Sequence, residues 1–231
     1  MALMSVLRET VQPGAVARYE RLVRFVAERA RQDGDTIQWS ARVNTGASGR
    51  TIGFITRAEG FAELATREEP EAMIRRLFGE ADGTAIVETL GDCVSSTINT
   101  VATIREDLSS QAVPQPGQAS PLILLTRIHA THDGGPGVEQ LIRKVSEAAT
   151  KVGEDRQILV LQTIIGDLRN YAVAQAVPDP SLLDKQATVP ELLLKAFGQS
   201  KGESIFREGT ACIEHVETEL STARPDLSNE G

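Results

Sequence analysis

The sequence contains two copies of one segment. Residues 5–109 align with residues 124–228 in a single register, almost without gaps. Such internal repetition means that the chain folds as two similar units rather than as one large domain. A unit of about 110 residues is large enough to bury its own core. Identical pairs occur in every part of the unit: Arg8 with Arg127, Glu20 with Glu139, Arg24 with Arg143, Gly34 with Gly153, Gly83 with Gly202 and Cys93 with Cys212.

A short segment separates the copies. Residues 109–121, SSQAVPQPGQASP, contain three prolines and no apolar periodicity, which is typical of a linker. We therefore predict a first repeat over residues 1–108, a linker over residues 109–121 and a second repeat over residues 122–228.

Each copy has the pattern of a strand, a helix, two strands, a helix and a strand. The first helix of copy one places apolar side chains at helical spacing, and the next segment alternates apolar and polar side chains with a period of two. The second helix begins at a proline, Pro70 or Pro190, and breaks within FGxxxG. In copy one we predict strand 3–10, helix 16–32, strands 37–44 and 50–57, helical pieces from residue 70 and over 84–94, and strand 98–105; copy two ends with helix 203–215 and strand 217–224.

This order of elements predicts the fold class. A β-α-β-β-α-β unit forms a four-stranded antiparallel sheet with both helices on one face, the ferredoxin-like arrangement. The other face of such a sheet is bare, and a second copy in the same chain can cover it. We therefore predict an α+β protein with two tandem ferredoxin-like units whose antiparallel sheets pack as an intramolecular α+β barrel.

The pattern resembles the dimeric α+β barrel superfamily in tandem form. The resemblance rests on the order of elements, on the FGxxxG segments at 78–83 and 197–202, and on the closing strands that end in RxDLS at 105–109 and 224–228. Members include antibiotic-biosynthesis monooxygenases, haem-degrading monooxygenases and chlorite dismutase-like proteins. The resemblance implies a small aromatic or polyketide-like ligand between sheet and helices, with monooxygenase-like oxygen or haem chemistry; it leaves the cofactor unknown, because one fold hosts many chemistries.

Composition limits the partners. The net charge is −8 and no basic patch occurs, so we expect no binding to nucleic acid or to an anionic membrane. No apolar run approaches the ~20 residues that span a bilayer. With two cysteines and no export signal, we expect a cytoplasmic protein in which Cys93 and Cys212 pack as thiols. A small-molecule ligand and a homo-oligomer are the partners that this fold class allows.

The three histidines are the catalytic candidates. His129 and His132 follow the first strand of copy two, and His215 ends its cysteine-bearing helix. Histidine suits proton transfer near neutral pH, and a site retained in one half is a common outcome of duplication. An exposed loop or helix-end role stays open for each, and the spacing of these histidines fixes no metal site. The aligned residues of copy one are Thr10, Pro13 and Ser96.

Trp39, Arg42 and Phe54 are the ligand-binding candidates. Trp39 is the only tryptophan, and with Phe54 on the partner strand it could line a pocket between sheet and helices or simply belong to the core. Arg42 alternates onto the opposite face, where burial would require a partner or a wet cleft.

Two functions stay open at this stage. One is an enzyme or small-ligand binder with a site between sheet and helices, in which a histidine acts as the base. The other is a non-catalytic protein that uses the paired sheets for assembly or partner binding. A pocket in one copy that His129 or His215 reaches favours the first, and a closed, apolar-filled space between sheet and helices in both copies favours the second.

Overall fold

A computed structural model describes residues 2–46, 49–110 and 120–230, which form two compact units. Unit 1 consists of residues 2–102 and 221–230, and unit 2 of residues 103–110 and 120–220. The predicted turn residues 47–48 and most of the predicted linker, residues 111–119, lie outside the described residues.

Unit 1 has the predicted order of strands and helices. Its sheet order is β4-β1-β3-β2, and β3 pairs antiparallel with both β1 and β2. A six-residue helix, α2, was not predicted. The elements are β1 Leu3–Val11, α1 Val16–Gln32, β2 Ser40–Gly46, β3 Gly49–Ala58, α2 Phe61–Thr66, α3 Pro70–Phe78, α4 Glu80–Cys93 and β4 Val94–Ile104.

Unit 2 repeats this arrangement. Its sheet order is β8-β5-β7-β6, and β7 pairs antiparallel with both β5 and β6. The same order in both units confirms the prediction of two tandem ferredoxin-like repeats. The elements are β5 Leu122–Ala130, α5 Gly135–Val152, β6 Ile158–Ile165, β7 Asn170–Ala176, α6 Val189–Phe197, α7 Gln199–Thr210 and β8 Ile213–Ala223.

Strand register decides which side chains face the helices. In unit 1, Ala41 pairs with Phe54 and Val43 pairs with Ile52, and these side chains pack against α1. Because side chains alternate along a strand, the intervening residues, including Arg42, point to the opposite face. The predicted two-sided pattern of β2 is therefore confirmed.

Glycines split the second helix of each repeat. Gly79 and Gly198 have φ angles of 81° and 80°, so they break the helix where the sequence predicted it. The other motif glycine lets the two helical pieces touch: a Cβ on Gly83 would lie 2.5 Å from the Arg75 Cα, and one on Gly202 would lie 2.8 Å from the Leu193 oxygen. The FGxxxG motif therefore encodes a close-packed helical corner.

The ends of the last strands and the segments after them belong to the opposite repeat's unit. Residues 221–230 complete unit 1, where Trp39 forms a β-bridge with Asn229 and Leu227 is fully buried. Residues 103–110 complete unit 2, where the Arg105 backbone N–H donates to the Val160 oxygen at 2.8 Å. We call residues 105–110 and 224–229 the arms.

The repeated arginines and glutamates of the two copies hold these arms. In unit 1, Arg224 donates to both carboxylate oxygens of Glu20 at 3.0 Å. Asp226 accepts from Arg24 at 2.8 Å. The equivalent bonds of unit 2 join Arg105 to Glu139 (2.8 Å) and Arg143 to the Asp107 oxygen (2.7 Å).

The last strands begin earlier than predicted. β4 starts at Val94 and β8 at Ile213, so His215 lies inside a strand and not at a helix end. Val, Ile, Thr and Ser dominate β4, and β-branched side chains favour strands over helices. Within the described residues, no helix has the length and apolar character needed to cross a bilayer.

Candidate functional site

A carboxyl–phenol pair lies between the sheet and α1 of unit 1. Glu9 of β1 points toward the helices, and the Tyr19 hydroxyl donates a hydrogen bond to its Oε2. Tyr19 is only 1% exposed, whereas Glu9 is half-buried and in reach of solvent. Val11 and Val23 belong to the same apolar cluster as Tyr19, so the carboxyl is bound to a residue of an apolar cluster.

This environment changes the acid–base behaviour of both groups. Burial raises the pKa of the Glu9 carboxyl, and the hydrogen bond from Tyr19 offsets part of that rise. Burial, the charge of Glu9 and the shared hydrogen bond together raise the pKa of the Tyr19 hydroxyl. Tyr19 therefore stays a proton donor in the hydrogen bond, while Glu9 becomes a stronger base than an exposed glutamate.

Cys93 and Phe54 complete the surroundings of the pair. Cys93 is a free, buried thiol in the same apolar cluster, and its backbone oxygen accepts from the Gln12 N–H at 2.9 Å. Phe54 packs against this cluster and also against the neighbouring cluster that contains Trp39. One continuous apolar layer thus connects Trp39 and Phe54 to Tyr19.

The pair occurs in one unit. Copy two has Ile128 and Val138 at the positions of Glu9 and Tyr19. Its own buried phenol, Tyr171, lies 3.3 Å from Glu139, which also binds an arm arginine. The sequence did not single out Glu9, because a glutamate in a strand usually faces solvent. The feature that could have identified it is the alignment of the two copies, in which Glu9 aligns with Ile128.

The predicted ligand-binding residues lie on two different faces. Trp39 and Phe54 share the helix-facing layer, where the Trp39 Nε1 donates to the Leu227 oxygen at 2.9 Å. Arg42 is 6% exposed on the other face and donates to the Ser221 Oγ at 3.0 Å and oxygen at 2.8 Å. Burial lowers the pKa of Arg42 to about 10. The buried arginine therefore has the partner that the sequence required.

The predicted catalytic histidines are all in unit 2. His129 Nε2 lies 2.8 Å from Asp167 Oδ2, and its Nδ1 lies 3.7 Å from Glu214 Oε2. His132 is exposed in the turn after β5, and His215 is exposed in β8. His129 therefore has a carboxylate partner in the structure, and its catalytic role stays a prediction.

None of the three predicted histidines is placed as a haem ligand in the helix-facing layer. A haem ligand would be needed in an apolar layer, but His129 points away from the helices and the other two histidines are exposed. In the described part of the chain, no group of three His, Cys, Asp or Glu residues could hold a metal ion.

A polar cleft of about 350 Å³ lies in unit 2 at the end of α5 and the start of β6. It contains none of the predicted site residues. It is lined by Ser110, Ser146, Ala149, Thr150, Glu154, Asp155, Arg156 and Gln157.

Comparison with solved structures supports the fold. An anthrone oxidase-like protein matches with a TM-score of 0.60 and 13% identity over 100% of this chain and 94% of its own. A proposed monooxygenase of Lactobacillus acidophilus NCFM matches with a TM-score of 0.53 and 7% identity over 96% and 93%. Chlorite dismutase of Candidatus Nitrospira defluvii, in complex with imidazole, matches with a TM-score of 0.52 and 11% identity over 97% and 92%.

These matches cover nearly the whole chain. They show that this chain shares its fold with these solved structures, and the order of elements in each repeat is the one that the sequence predicted. No protein-family profile and no curated protein matches the sequence. The identities of 7% to 13% show the fold alone.

Proposed function

We propose that the layer between sheet and helices in unit 1 binds a small planar aromatic molecule, and that Glu9 removes an acidic C–H proton from it. The observation that carries this proposal is the Glu9–Tyr19 pair inside an otherwise apolar layer. A buried carboxyl with a raised pKa is a common feature of catalytic bases. Burying it costs stability, and a catalytic role accounts for why it is present.

The substrate must have a C–H bond that is acidic enough for a carboxylate to deprotonate. An anthrone-type compound has a C–H bond between two aromatic rings, and its anion is delocalised over the rings and the carbonyl group. The similarity to an anthrone oxidase-like protein and to a proposed monooxygenase supports this class. Trp39 and Phe54 supply flat apolar surface beside the pair.

The reaction needs molecular oxygen and no further co-reactant. Glu9 takes the C–H proton, and the electron pair stays on the ring system. Oxygen accepts this electron density and forms a C–O bond, giving a peroxide anion that Glu9 reprotonates. Loss of water then leaves the quinone, so anthrone and one O₂ give anthraquinone and one water. Tyr19 positions the Glu9 carboxyl through its hydrogen bond.

Oxygen consumption by the purified protein with anthrone tests the proposal. Anthrone should be oxidised by the wild type, and Glu9→Gln should lower the rate at least about 100-fold, since a positioned base contributes about 10² to 10⁴. The matched control is Glu28→Gln, which removes an exposed carboxyl from α1. Trp39, the only tryptophan, reports binding separately through fluorescence quenching.

Two results would decide against this function. A Glu9→Gln variant that oxidises anthrone as fast as the Glu28→Gln control would remove Glu9 as the base. Absence of both quenching and oxidation in the wild type would favour the alternative, a non-catalytic protein. A non-catalytic protein that binds a partner would use exposed apolar side chains, such as those of Val216 and Leu220 on β8.

A further inference from the structure

The polar cleft of unit 2 lies where the arm of residues 105–110 meets the end of α5. Ser110, the last residue of that arm, lines the cleft together with Thr150 of α5 and Asp155 before β6. The volume of about 350 Å³ is within the usual range of small-molecule sites, roughly 300–1,000 Å³. The cleft is therefore large enough for a small organic ligand.

The duplication shows which group is missing from this cleft. In the register of the repeat, Thr150 of α5 aligns with Arg31 of α1. The Arg31 guanidinium reaches the arm of unit 1, where its Nη1 donates to the Ser228 oxygen and, at 3.5 Å, to the Pro225 oxygen. The Thr150 hydroxyl instead donates within its own helix, at 3.0 Å. Unit 2 therefore has no guanidinium of its own at this helix position.

The ends of the two arms differ in size in the same way. The side-chain amide of Asn229 donates to the Ile37 oxygen at 2.7 Å in unit 1. In unit 2 the aligned hydroxyl of Ser110 donates to the aligned Arg156 oxygen at 2.8 Å. The shorter serine keeps the hydrogen bond that holds the arm and leaves more of the space beside it unfilled. Two smaller residues, one on the helix and one on the arm, thus line the cleft of unit 2.

The charges of the lining favour a cation. Glu154 accepts from Arg156 at 2.7 Å, so these two charges balance each other. Asp155 is exposed, and its Oδ2 accepts a long hydrogen bond of 3.4 Å from Gln157. The helix α5 ends at Val152 beside the cleft, and a helix C-terminus carries a partial negative charge. The cleft therefore has an excess of negative charge.

One hydroxyl in the wall of the cleft lacks a hydrogen bond. Ser146 lines the cleft, and its Oγ is buried without a partner among the residues that the structure describes. Copy one has Ala27 at this position, so packing of the helix does not require the hydroxyl. Buried hydroxyl groups in folded proteins usually have a partner, and a donor bound in the cleft would supply one.

We propose that this cleft binds a small molecule with a guanidinium group, which takes the place that the Arg31 side chain has in unit 1. The guanidinium pairs with the Asp155 carboxylate, and its planar set of donors suits a carboxylate through two parallel hydrogen bonds. Its charge balances the excess of negative charge in the lining. The site lies in unit 2 and is independent of Glu9 and of the substrate proposed for unit 1.

NMR titration of ¹⁵N-labelled protein with n-propylguanidinium chloride, at fixed ionic strength, tests the site. We expect the amide signals of Ser110, Thr150 and Asp155 to shift in the wild type. Thr150→Arg installs the residue of copy one, whose own guanidinium fills the cleft, and should weaken binding at least 10-fold, about 1.4 kcal/mol. The matched control is Gln140→Arg, which adds the same charge at an exposed position of α5 outside the cleft and should bind like the wild type.

A second variant covers the case in which Thr150→Arg disturbs the fold. Asp155→Asn keeps the shape of an exposed side chain, removes its charge and should also weaken binding at least 10-fold. Glu9→Gln should bind normally, which separates this proposal from the first. Equal affinity of the wild type and Asp155→Asn would overturn the proposal, and so would equal affinity for n-propylguanidinium and for neutral n-propylurea.

Discussion

Glu9 is an acid at a position where the second copy has Ile128. Both side chains face the helices of their unit, so the fold itself accepts an aliphatic residue there. Tyr19 satisfies one carboxylate oxygen but does not cancel the effect of burial, because the pKa of Glu9 remains raised. The residue is therefore expected to cost stability in its charged form, and this cost can be measured.

The pH dependence of stability should show the charge of Glu9. Its pKa is higher in the folded than in the unfolded state, so protons favour the folded state. The stability that this proton contributes is complete below the pKa of Glu9 in the unfolded state. It is lost as pH rises through the pKa of Glu9 in the folded state. We expect the free energy of unfolding of the wild type, relative to Glu9→Gln, to fall across that range. Urea unfolding at several pH values measures it, and a difference that is constant with pH would contradict the raised pKa.

Helices and strands could be predicted where the local sequence pattern determines them. The helix at Val16–Gln32 and the break at Gly79 follow from apolar spacing and glycine, and both occur where predicted. The Glu9–Tyr19 contact could not be predicted, because it depends on tertiary packing. His129 was identified by residue type alone, since its partner Asp167 comes from a different strand connection.

The helical corner gives a prediction with an internal control. Gly83→Ala and Gly202→Ala should each destabilise the protein by about 1–3 kcal/mol, because the new Cβ would meet backbone atoms within 3 Å. Gly91→Ala on the same helix, α4, has open space around it and should be neutral or stabilising by up to about 1 kcal/mol. Thermal unfolding followed by circular dichroism compares the three, and equal effects would contradict the close packing.

On the scale of the whole molecule, duplication explains why the arms are conserved between the copies. Each arm lies far in sequence from the helix that it contacts: Arg224 binds Glu20, and Arg105 binds Glu139. Self-alignment predicted that the two RxDLS segments are equivalent. It could not predict which helix each segment contacts, because the identical partners occur in both copies.

Truncation of the arm leucines should destabilise the protein through both units. Leu227 is fully buried in the core of unit 1, and Leu108 is buried in the core of unit 2. Leu227→Ala and Leu108→Ala should each cost about 2–5 kcal/mol, as expected for buried leucines. Exposed Leu168 provides the control, since Leu168→Ala should change stability by less than about 0.5 kcal/mol. Urea unfolding measures the free energy of unfolding of the three variants. Equal values for all three would contradict the burial of the arm leucines.

The most direct test of the account is the pKa of Glu9 itself. Carboxyl ¹³C NMR of glutamate-labelled protein, with Glu9→Gln used for assignment, follows this group through its titration. We expect a midpoint above the ordinary glutamate value of about 4.3, and a further rise in Tyr19→Phe because the hydrogen bond that stabilises the carboxylate is gone. A midpoint at or below the ordinary value in the wild type would contradict a buried base at this position.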